Sequence, residues 1–265
     1  MDLLIDFGNS LLKWCLWVDD HAVDQGHIEA VALESGLRLI DWSVVRSVAI
    51  CSVSDPELTN AVSVYCDSLS ASHCGVREMH LAHLPPWFSL GSTSADQIGT
   101  DRVAAMLGAF SAGTNYCVID AGTACTIDFV SNGEHQGGYI FPGLSLARSS
   151  LTLRTARISG VADRLYSAKL EPGRNTQLAV EHGIRMSLVS MCECALRNTS
   201  SAIDAVVVTG GDGEWLAGHL PDHVIVQPNC KPRLVVFCQL RNIKTMNRVS
   251  QSSITLNYRL FCILR

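Results

Sequence analysis

Short apolar runs that end at glycines set the rhythm of this chain. Leu3 to Phe7 is an apolar run of strand length, stopped by Gly8-Asn9-Ser10, and Lys13 to Val18 reads as its returning partner. Together they predict a hairpin with a polar glycine turn. Val44 to Cys51 reads as a buried strand, and Ser54-Asp55-Pro56 opens a helix after it. Pro85-Pro86 and Ser89 to Ser94 predict a loop. Thr100 reads as the N-cap of an alanine-rich helix from Asp101 to Ala112, closed by Gly113. The pattern then restarts. Tyr116 to Asp120 predicts a strand, Ala121-Gly122-Thr123 a turn, Cys125 to Val130 a second strand, Asn132-Gly133 a hairpin turn and His135 to Phe141 a third strand. Asn175 to Arg197 is a long helical stretch, with Leu178, Ala179, Ile184, Leu188, Met191 and Ala195 spaced as its apolar face. Val206 to Thr209 predicts a strand that ends in Gly210-Gly211-Asp212-Gly213, with a helix after it.

One arrangement occurs twice: an apolar strand, then Asp-x-Gly, then a polar or small residue, then a returning strand, once at Asp6 and once at Asp120. Duplicated hairpins followed by helices predict an α/β protein of two similar halves facing one cleft. The expected boundary lies near Asn115, which gives halves of residues 1–115 and 116–265.

Composition narrows the class. With 265 residues, 48% of them hydrophobic, the chain can build a sizeable core. Its formal net charge of -5 argues against broad nucleic-acid binding, which needs a basic surface. The 11 cysteines are scattered, and Cys192 and Cys194 fall inside the long helix; they read as reduced thiols packed as small apolar residues. MDLLIDFGNS lacks the basic start of a signal peptide, and no apolar run is long enough to span a bilayer. The expectation is a cytoplasmic protein with no membrane contact.

Five constellations carry candidate chemistry. In Asp6-Phe7-Gly8-Asn9-Ser10 a strand delivers a carboxylate to its end. Gly8 lets the backbone approach an anion, Asn9 and Ser10 add donors, and Lys13 adds a positive charge. Such a carboxylate would hold a hydrated Mg²⁺ that bridges phosphates. An ordinary hairpin turn has the same sequence. Asp120-Ala121-Gly122-Thr123-Ala124 repeats the logic, and two such loops are harder to ascribe to chance. Ala124, Thr126 and Asp128 share one strand face, which looks either into the cleft or out to solvent. Gly210-Gly211-Asp212-Gly213 permits close backbone approach to a nucleotide, although a plain strand-to-helix loop would read alike. It is neither a Walker A loop nor a dinucleotide fingerprint. In Gly99-Thr100-Asp101-Arg102 the helix dipole accounts for the acid but not for the arginine, which fits a substrate carboxylate held bidentately. The paired glycines of Gly137-Gly138-Tyr139-Ile140 mark either a ligand's close approach or a bulge. The nine histidines show no metal-ligand spacing, and no GxSxG elbow marks a hydrolase.

Three phosphate-type loops in this order resemble the actin-like ATPase superfamily that includes the sugar kinases. The finer wording resembles type III pantothenate kinase: DFGNS, GTDR, IDAGTACTID, GGYIFPG, NTQLAVEHG and TGGDG follow one another from Asp6 to about Asn229. The resemblance implies tandem ribonuclease H-like halves, a homodimer, and ATP-dependent phosphorylation of pantothenate to 4'-phosphopantothenate, the first step of coenzyme A synthesis. It implies that Asp6, Gly8, Asn9, Ser10 and Lys13 line the ATP phosphates, with Mg²⁺ across them. Gly122, Thr123 and Ala124 would form the second phosphate loop, and Gly210, Gly211 and Asp212 would lie at the nucleotide. Asp120 would help bind a monovalent cation, potassium or ammonium. Asp101 matches the general base, Arg102 the ligand of the pantothenate carboxylate, and Gly99 the substrate loop before them. Gly137, Gly138, Tyr139 and Ile140 would shape the pantothenate pocket, and Thr176 would reach the pantothenate of the neighbouring subunit. Two features depart from the family. Ser92 stands where it often carries a tyrosine, and the tail Cys230 to Arg265, basic and without glycine, resembles no family ending. A non-catalytic regulatory factor of the same family, or a kinase for another small acid or sugar, are the alternatives.

Overall fold

The structure, a computed structural model, describes residues 1–8, 11–19, 21–69, 76–109, 115–154, 170–199, 202–221 and 224–226. Asn9, Ser10 and the tail Cys230 to Arg265 lie outside the described residues. The described residues form two compact units, which divide between Gly113 and Thr114.

The first unit is built on β1 (Asp2–Phe7), β2 (Leu11–Val18), β3 (His21–Glu29), β4 (Ser47–Ser52) and β5 (Val76–Glu78), joined in the order β3-β2-β1-β4-β5. β1, β2 and β3 form an antiparallel meander, while β4 and β5 run parallel to β1. Alternation in β1 sends Leu3, Ile5 and Phe7 into an apolar core, where they meet Leu37 of α1 (Leu33–Leu37) and Val62 and Cys66 of α2 (Pro56–Leu69). Leu4 and Asp6 rise from the opposite face. Asp55 caps α2, its Oδ1 accepting from the Glu57 and Leu58 backbone N–H groups at 2.9 and 3.3 Å, with Pro56 at the first helical position. The expected strand from Val44 begins only at Ser47, because Trp42 to Val44 form a short 3-10 turn.

A third helix, α3 (Thr100–Gly108), corrects the expected cap. Gly99 holds the capping position and Thr100 is already helical. The Thr100 hydroxyl donates instead to the Ser52 carbonyl at 2.6 Å, which ties the start of α3 to the end of β4. Ala112 and Gly113 lie outside the described residues.

The second unit repeats the topology. Its strands are β6 (Asn115–Ala121), β7 (Ala124–Ser131), β8 (Glu134–Pro142), β9 (Ala205–Thr209) and β10 (Val224–Val226), in the order β10-β9-β6-β7-β8. Again three strands form an antiparallel meander and two run parallel to the first. Asn132 and Gly133 both take positive φ, 48° and 78°, as a two-residue turn between β7 and β8 requires. The helices are α4 (Leu144–Arg154), α5 (Thr176–Arg197) and α6 (Gly213–Ala217). Cys117, Ile119, Cys125, Ile127, Val206 and Val208 pack against α5 and α6 in one core.

The buried side of α5 differs from the expected apolar face. It consists of Glu181, His182, Ile184, Arg185, Leu188, Val189, Cys192 and Ala195. Ala179 is exposed and Met191 is 46% exposed, so neither belongs to it. Two ionic residues stand where an all-apolar stripe was expected. Leu188→Ala should therefore cost about 2–5 kcal/mol in denaturant unfolding, whereas Met191→Ala should cost under about 0.5 kcal/mol. Equal losses at the two positions would contradict this assignment of the buried face.

Candidate functional site

In the first unit the candidate residues gather at one end of the sheet. Asp6 sits next to the last position of β1, buried, on the face away from the α1–α2 core. It lies directly opposite Lys13 of β2 and Cys51 of β4. Cross-strand partners share a face, so a carboxylate and an ammonium stand side by side at the carboxyl end of β1. Gly8 closes the turn that follows, its N–H donating to the Leu11 carbonyl at 3.0 Å. β4 ends beside it, with the Val53 N–H donating to the Phe7 carbonyl at 3.0 Å. Ser52 also receives the Thr100 hydroxyl, so α3 begins at the same end of the sheet. Open α/β sheets bind ligands at the carboxyl ends of their strands.

The Gly99–Arg102 segment is shaped around one carboxylate. Asp101 Oδ1 accepts from the Arg102 backbone N–H at 2.8 Å. A Cβ on Gly99 would collide with that same Oδ1, so glycine is what leaves the Asp101 carboxylate its place. Asp101 and Arg102 are both half-buried.

In the second unit three backbone segments converge on the β6–β7 turn. The Gly122 N–H donates to the Ala124 carbonyl at 3.1 Å, the Gly143 N–H to the Thr123 carbonyl at 3.0 Å, and the Asp212 N–H to the Ala121 carbonyl at 3.0 Å. Gly210 has φ of 95°, and a Cβ there would lie 2.6 Å from the Ala121 nitrogen. A Cβ on Gly143 would lie 2.8 Å from the Thr123 carbonyl oxygen. Gly122, Thr123, Ala124, Gly210, Gly211 and Asp212 are thereby brought to one place.

Asp120 is the counterpart of Asp6, buried next to the last position of β6. Its neighbours across the ladder are Thr126 of β7 and Thr209 of β9, both buried. A carboxylate and two hydroxyls thus share one face. Asp128, two positions further along β7, is buried and meets His135 Nε2 at 2.9 Å, which excludes the solvated-face reading of this strand. The register of β7 and β8 shifts at Phe129/Val130, and Gly137 takes φ of 110°. A bulge is present, and Gly137 is there for its backbone angle, since an added Cβ would meet nothing. Tyr139 and Ile140, which point to opposite faces of this edge strand, are 48% and 60% exposed. Thr176 is exposed at the first turn of α5, which Asn175 caps by accepting from the Leu178 N–H at 2.8 Å.

Sequence reasoning missed a buried ionic set behind these loops. Arg148 and Arg185 both bridge to Glu181, which is fully buried. Burial pushes the Asp212 carboxyl above the usual range, against the opposing pull of Arg148 and Arg185. A Glu–Arg pair one turn apart inside an apolar helix face was the available signal. Two buried cysteines are held as thiols. The hydrogen bond to Cys192 and burial push the Cys125 thiol up, and burial does the same for Cys117. Among the described residues no cluster of His, Cys, Asp or Glu is placed to hold a metal, and no helix is long and apolar enough to cross a membrane.

A model of the type III pantothenate kinase family matches residues 2–198 of the chain. The chain belongs to this family. The type III pantothenate kinase of Ectopseudomonas mendocina is 33% identical over 91% of this chain and 100% of its own length. Among solved structures, a protein described as a Baf family transcriptional activator from Campylobacter jejuni superposes with a TM-score of 0.60 at 21% identity, covering 92% of this chain and 98% of its own. A protein described as a 2-dehydro-3-deoxygalactonokinase from Sinorhizobium meliloti gives 0.58 at 11% identity, covering 91% and 98%. These two share the fold, that of the actin-like ATPases and sugar kinases.

The glycine loops make a prediction that does not depend on any ligand. Gly210→Ala puts a side chain at positive φ and against the Ala121 backbone, and should cost about 1–3 kcal/mol. A Cβ on Gly211 would meet nothing, so Gly211→Ala should stay within about 0.5 kcal/mol of wild type. Denaturant unfolding of the pair decides it; a stable Gly210→Ala would refute the close approach.

Proposed function

We propose that this member of the type III pantothenate kinase family transfers the γ-phosphoryl group of ATP to pantothenate, giving 4'-phosphopantothenate and ADP, the first step of coenzyme A synthesis. The observation that carries this reading is the Asp101 carboxylate, seated in space that Gly99 leaves open at the start of α3.

The roles follow from the chemistry of the residues. Gly8, Asn9, Ser10 and Lys13 hold phosphate oxygens of ATP, as do the backbone N–H groups around Gly122, Thr123 and Ala124. Glycine loops without side chains fit phosphate because the backbone can approach it closely. The Asp6 carboxylate would hold a hydrated Mg²⁺, which would supply positive charge to offset that of the phosphates. Gly210, Gly211 and Asp212 contact the nucleotide. Arg102 pairs with the pantothenate carboxylate in a two-pronged bridge. Gly137, Gly138, Tyr139 and Ile140 line its pocket, and exposed apolar side chains on an edge strand suit its aliphatic body. Asp101 accepts the proton of the primary hydroxyl as that oxygen attacks the γ-phosphorus and ADP departs. Positioning and charge neutralisation supply most of the acceleration.

Asp120 helps hold a monovalent cation, potassium or ammonium. The Thr126 and Thr209 hydroxyls on its face support this, because such cations prefer oxygen donors. The active form is a homodimer, in which Thr176 of one copy reaches the pantothenate of the other.

A coupled ATPase assay with and without pantothenate tests the reaction. Asp101→Asn should lower kcat by about 10²–10⁴, the usual worth of a general base, with ATP affinity and melting temperature unchanged. Arg102→Ala should chiefly raise KM for pantothenate. Near wild-type kcat in Asp101→Asn would show that Asp101 is not the base. In the same assay, exchanging potassium and ammonium for a bulky organic cation should abolish turnover, and turnover should track the dimer fraction seen by sedimentation. Full activity of a monomer, or in the organic cation, would overturn the corresponding part.

A further inference from the structure

Glu181 has no solvent exposure and lies in the first half of α5. Arg148 of α4 grips it with two prongs, Nε to Oε2 at 2.9 Å and Nη2 to Oε1 at 2.7 Å. Arg185, one turn further along α5, donates through Nη1 to the same Oε1. The Arg185 guanidinium also lies 5.6 Å from the centre of the Trp215 ring in α6, within cation–π range. Asp212, immediately before α6, lies within the field of both arginines.

These contacts join helices that begin at different glycine loops. α4 starts directly after Gly143, which is bonded to Thr123, and α6 starts directly after Asp212, which is bonded to Ala121. Any shift of α4 against α6 moves the Gly122–Thr123 loop against the Gly210–Asp212 loop. Apolar packing alone resists such a slide weakly. A planar guanidinium forked onto a carboxylate resists it in direction as well as distance. Stability is a poor reason for the set, since apolar residues of similar volume usually serve a core as well as a buried ion cluster.

We propose that the Arg148–Glu181–Arg185 cluster is a positioning device for nucleotide binding, which holds the Gly122–Thr123 loop and the Gly210–Asp212 loop in one register. The proposal rests on the reading that these two loops hold ATP. Arg148, Glu181 and Arg185 touch no substrate in it; they act through the loops.

The test is equilibrium binding of ATP to the full chain, read by displacement of a fluorescent ATP analogue, beside KM for pantothenate and the melting temperature. Arg185→Met leaves the Arg148–Glu181 pair balanced, so the variant should fold. Its Kd for ATP should rise about tenfold, with KM for pantothenate nearly unchanged, and Arg185→Lys should recover part of the loss. Arg148→Lys keeps the charge but loses the fork, and should also weaken ATP. Wild-type ATP affinity in both Arg185→Met and Arg148→Lys overturns the proposal. So does a loss that falls equally on ATP and pantothenate in step with a lower melting temperature, since that marks a general structural role. The titration reads ATP alone. A wild-type chain that binds ATP yet leaves pantothenate unphosphorylated overturns the kinase reading, while the ratio of variant to wild-type affinity still decides the clamp. A wild-type chain that does not bind ATP overturns both.

Discussion

The backbone of Ala121 to Thr123 is approached so closely from two directions that no side chain could accompany the approaching segments. Gly210 presses against Ala121, and Gly143 against Gly122 and Thr123. Much of the second unit follows from that contact. β9 can run beside β6 to its end and still turn away, because Gly210 takes the positive φ the turn needs. α4 and α6 both begin at the contact, and the first turn of a helix leaves backbone N–H groups without helical partners. The Gly122, Gly143 and Asp212 N–H groups hold the loops together, and other first-turn donors of the two helices are gathered beside them, where the side chains are smallest. Such a place suits an anion better than any arrangement of long side chains would, since the donors are fixed before the anion arrives.

The two units share a strand order but not an electrostatic character. In the first, Asp6 stands opposite Lys13 across the β1–β2 ladder, so the pair carries no net charge. In the second, the same position opposite Asp120 is Thr126, with Thr209 on the other side. The duplicated scaffold thus delivers a carboxylate twice, once beside an ammonium and once between hydroxyls. The first arrangement suits phosphate with its counter-ion, and the second suits a bare cation. Two positions make the difference, Lys13 against Thr126 in the returning strand and Cys51 against Thr209 in the parallel neighbour, so a repeated fold can vary its chemistry without changing its topology.

The strands that were legible in the sequence are those whose apolar runs are bounded by turn residues: β1, β6, β7, β8 and β9 by a nearby glycine, β2 by Asp19 and β4 by Ser54-Asp55-Pro56. β3 was not, because HAVDQGHIE lies at the sheet edge with mostly exposed side chains and has no apolar alternation to read. β5 and β10, each three residues long, are too short to show a period. α4 was hidden by its own wording. In LSLARSSLTLR the leucines recur at spacings of two at both ends, which mimics a strand. The glycines, Asp6 and Asp120 were legible because small residues at strand ends leave a pattern, and Asp101 because an acid and an arginine stand together at a helix start. Arg148, Glu181 and Arg185 were not, because a charged residue on a helix reads as surface until its burial is seen. Thr100 was misread as a cap for a related reason. Sequence shows that a hydroxyl stands at a helix start, but not that a neighbouring strand end, at Ser52, offers it a nearer acceptor.

The geometry at Asp101 divides the work of one carboxylate. Oδ1 is committed: it accepts the Arg102 N–H, one of the donors that the start of a helix leaves without a partner, and it fills the gap left by the Gly99 side chain. That commitment fixes the rotamer, because a carboxylate anchored at one oxygen has little freedom at the other. Thr100 completes the anchoring from the opposite side by tying the same helical turn to β4. Oδ2, which makes no hydrogen bond among the described residues, then has a defined position without being spent on holding it. A general base needs that combination, since its contribution depends on standing within hydrogen-bond reach of the proton it takes. The arginine that follows gains by the same device. Its backbone holds Oδ1, and its side chain therefore leaves the helix from a turn that is pinned at two points. Acid and guanidinium are adjacent in sequence, yet the hydrogen bond between them runs through the backbone. Asp101 is thus anchored without drawing on the Arg102 side chain, which would have been the simpler partner and would have neutralised the pair.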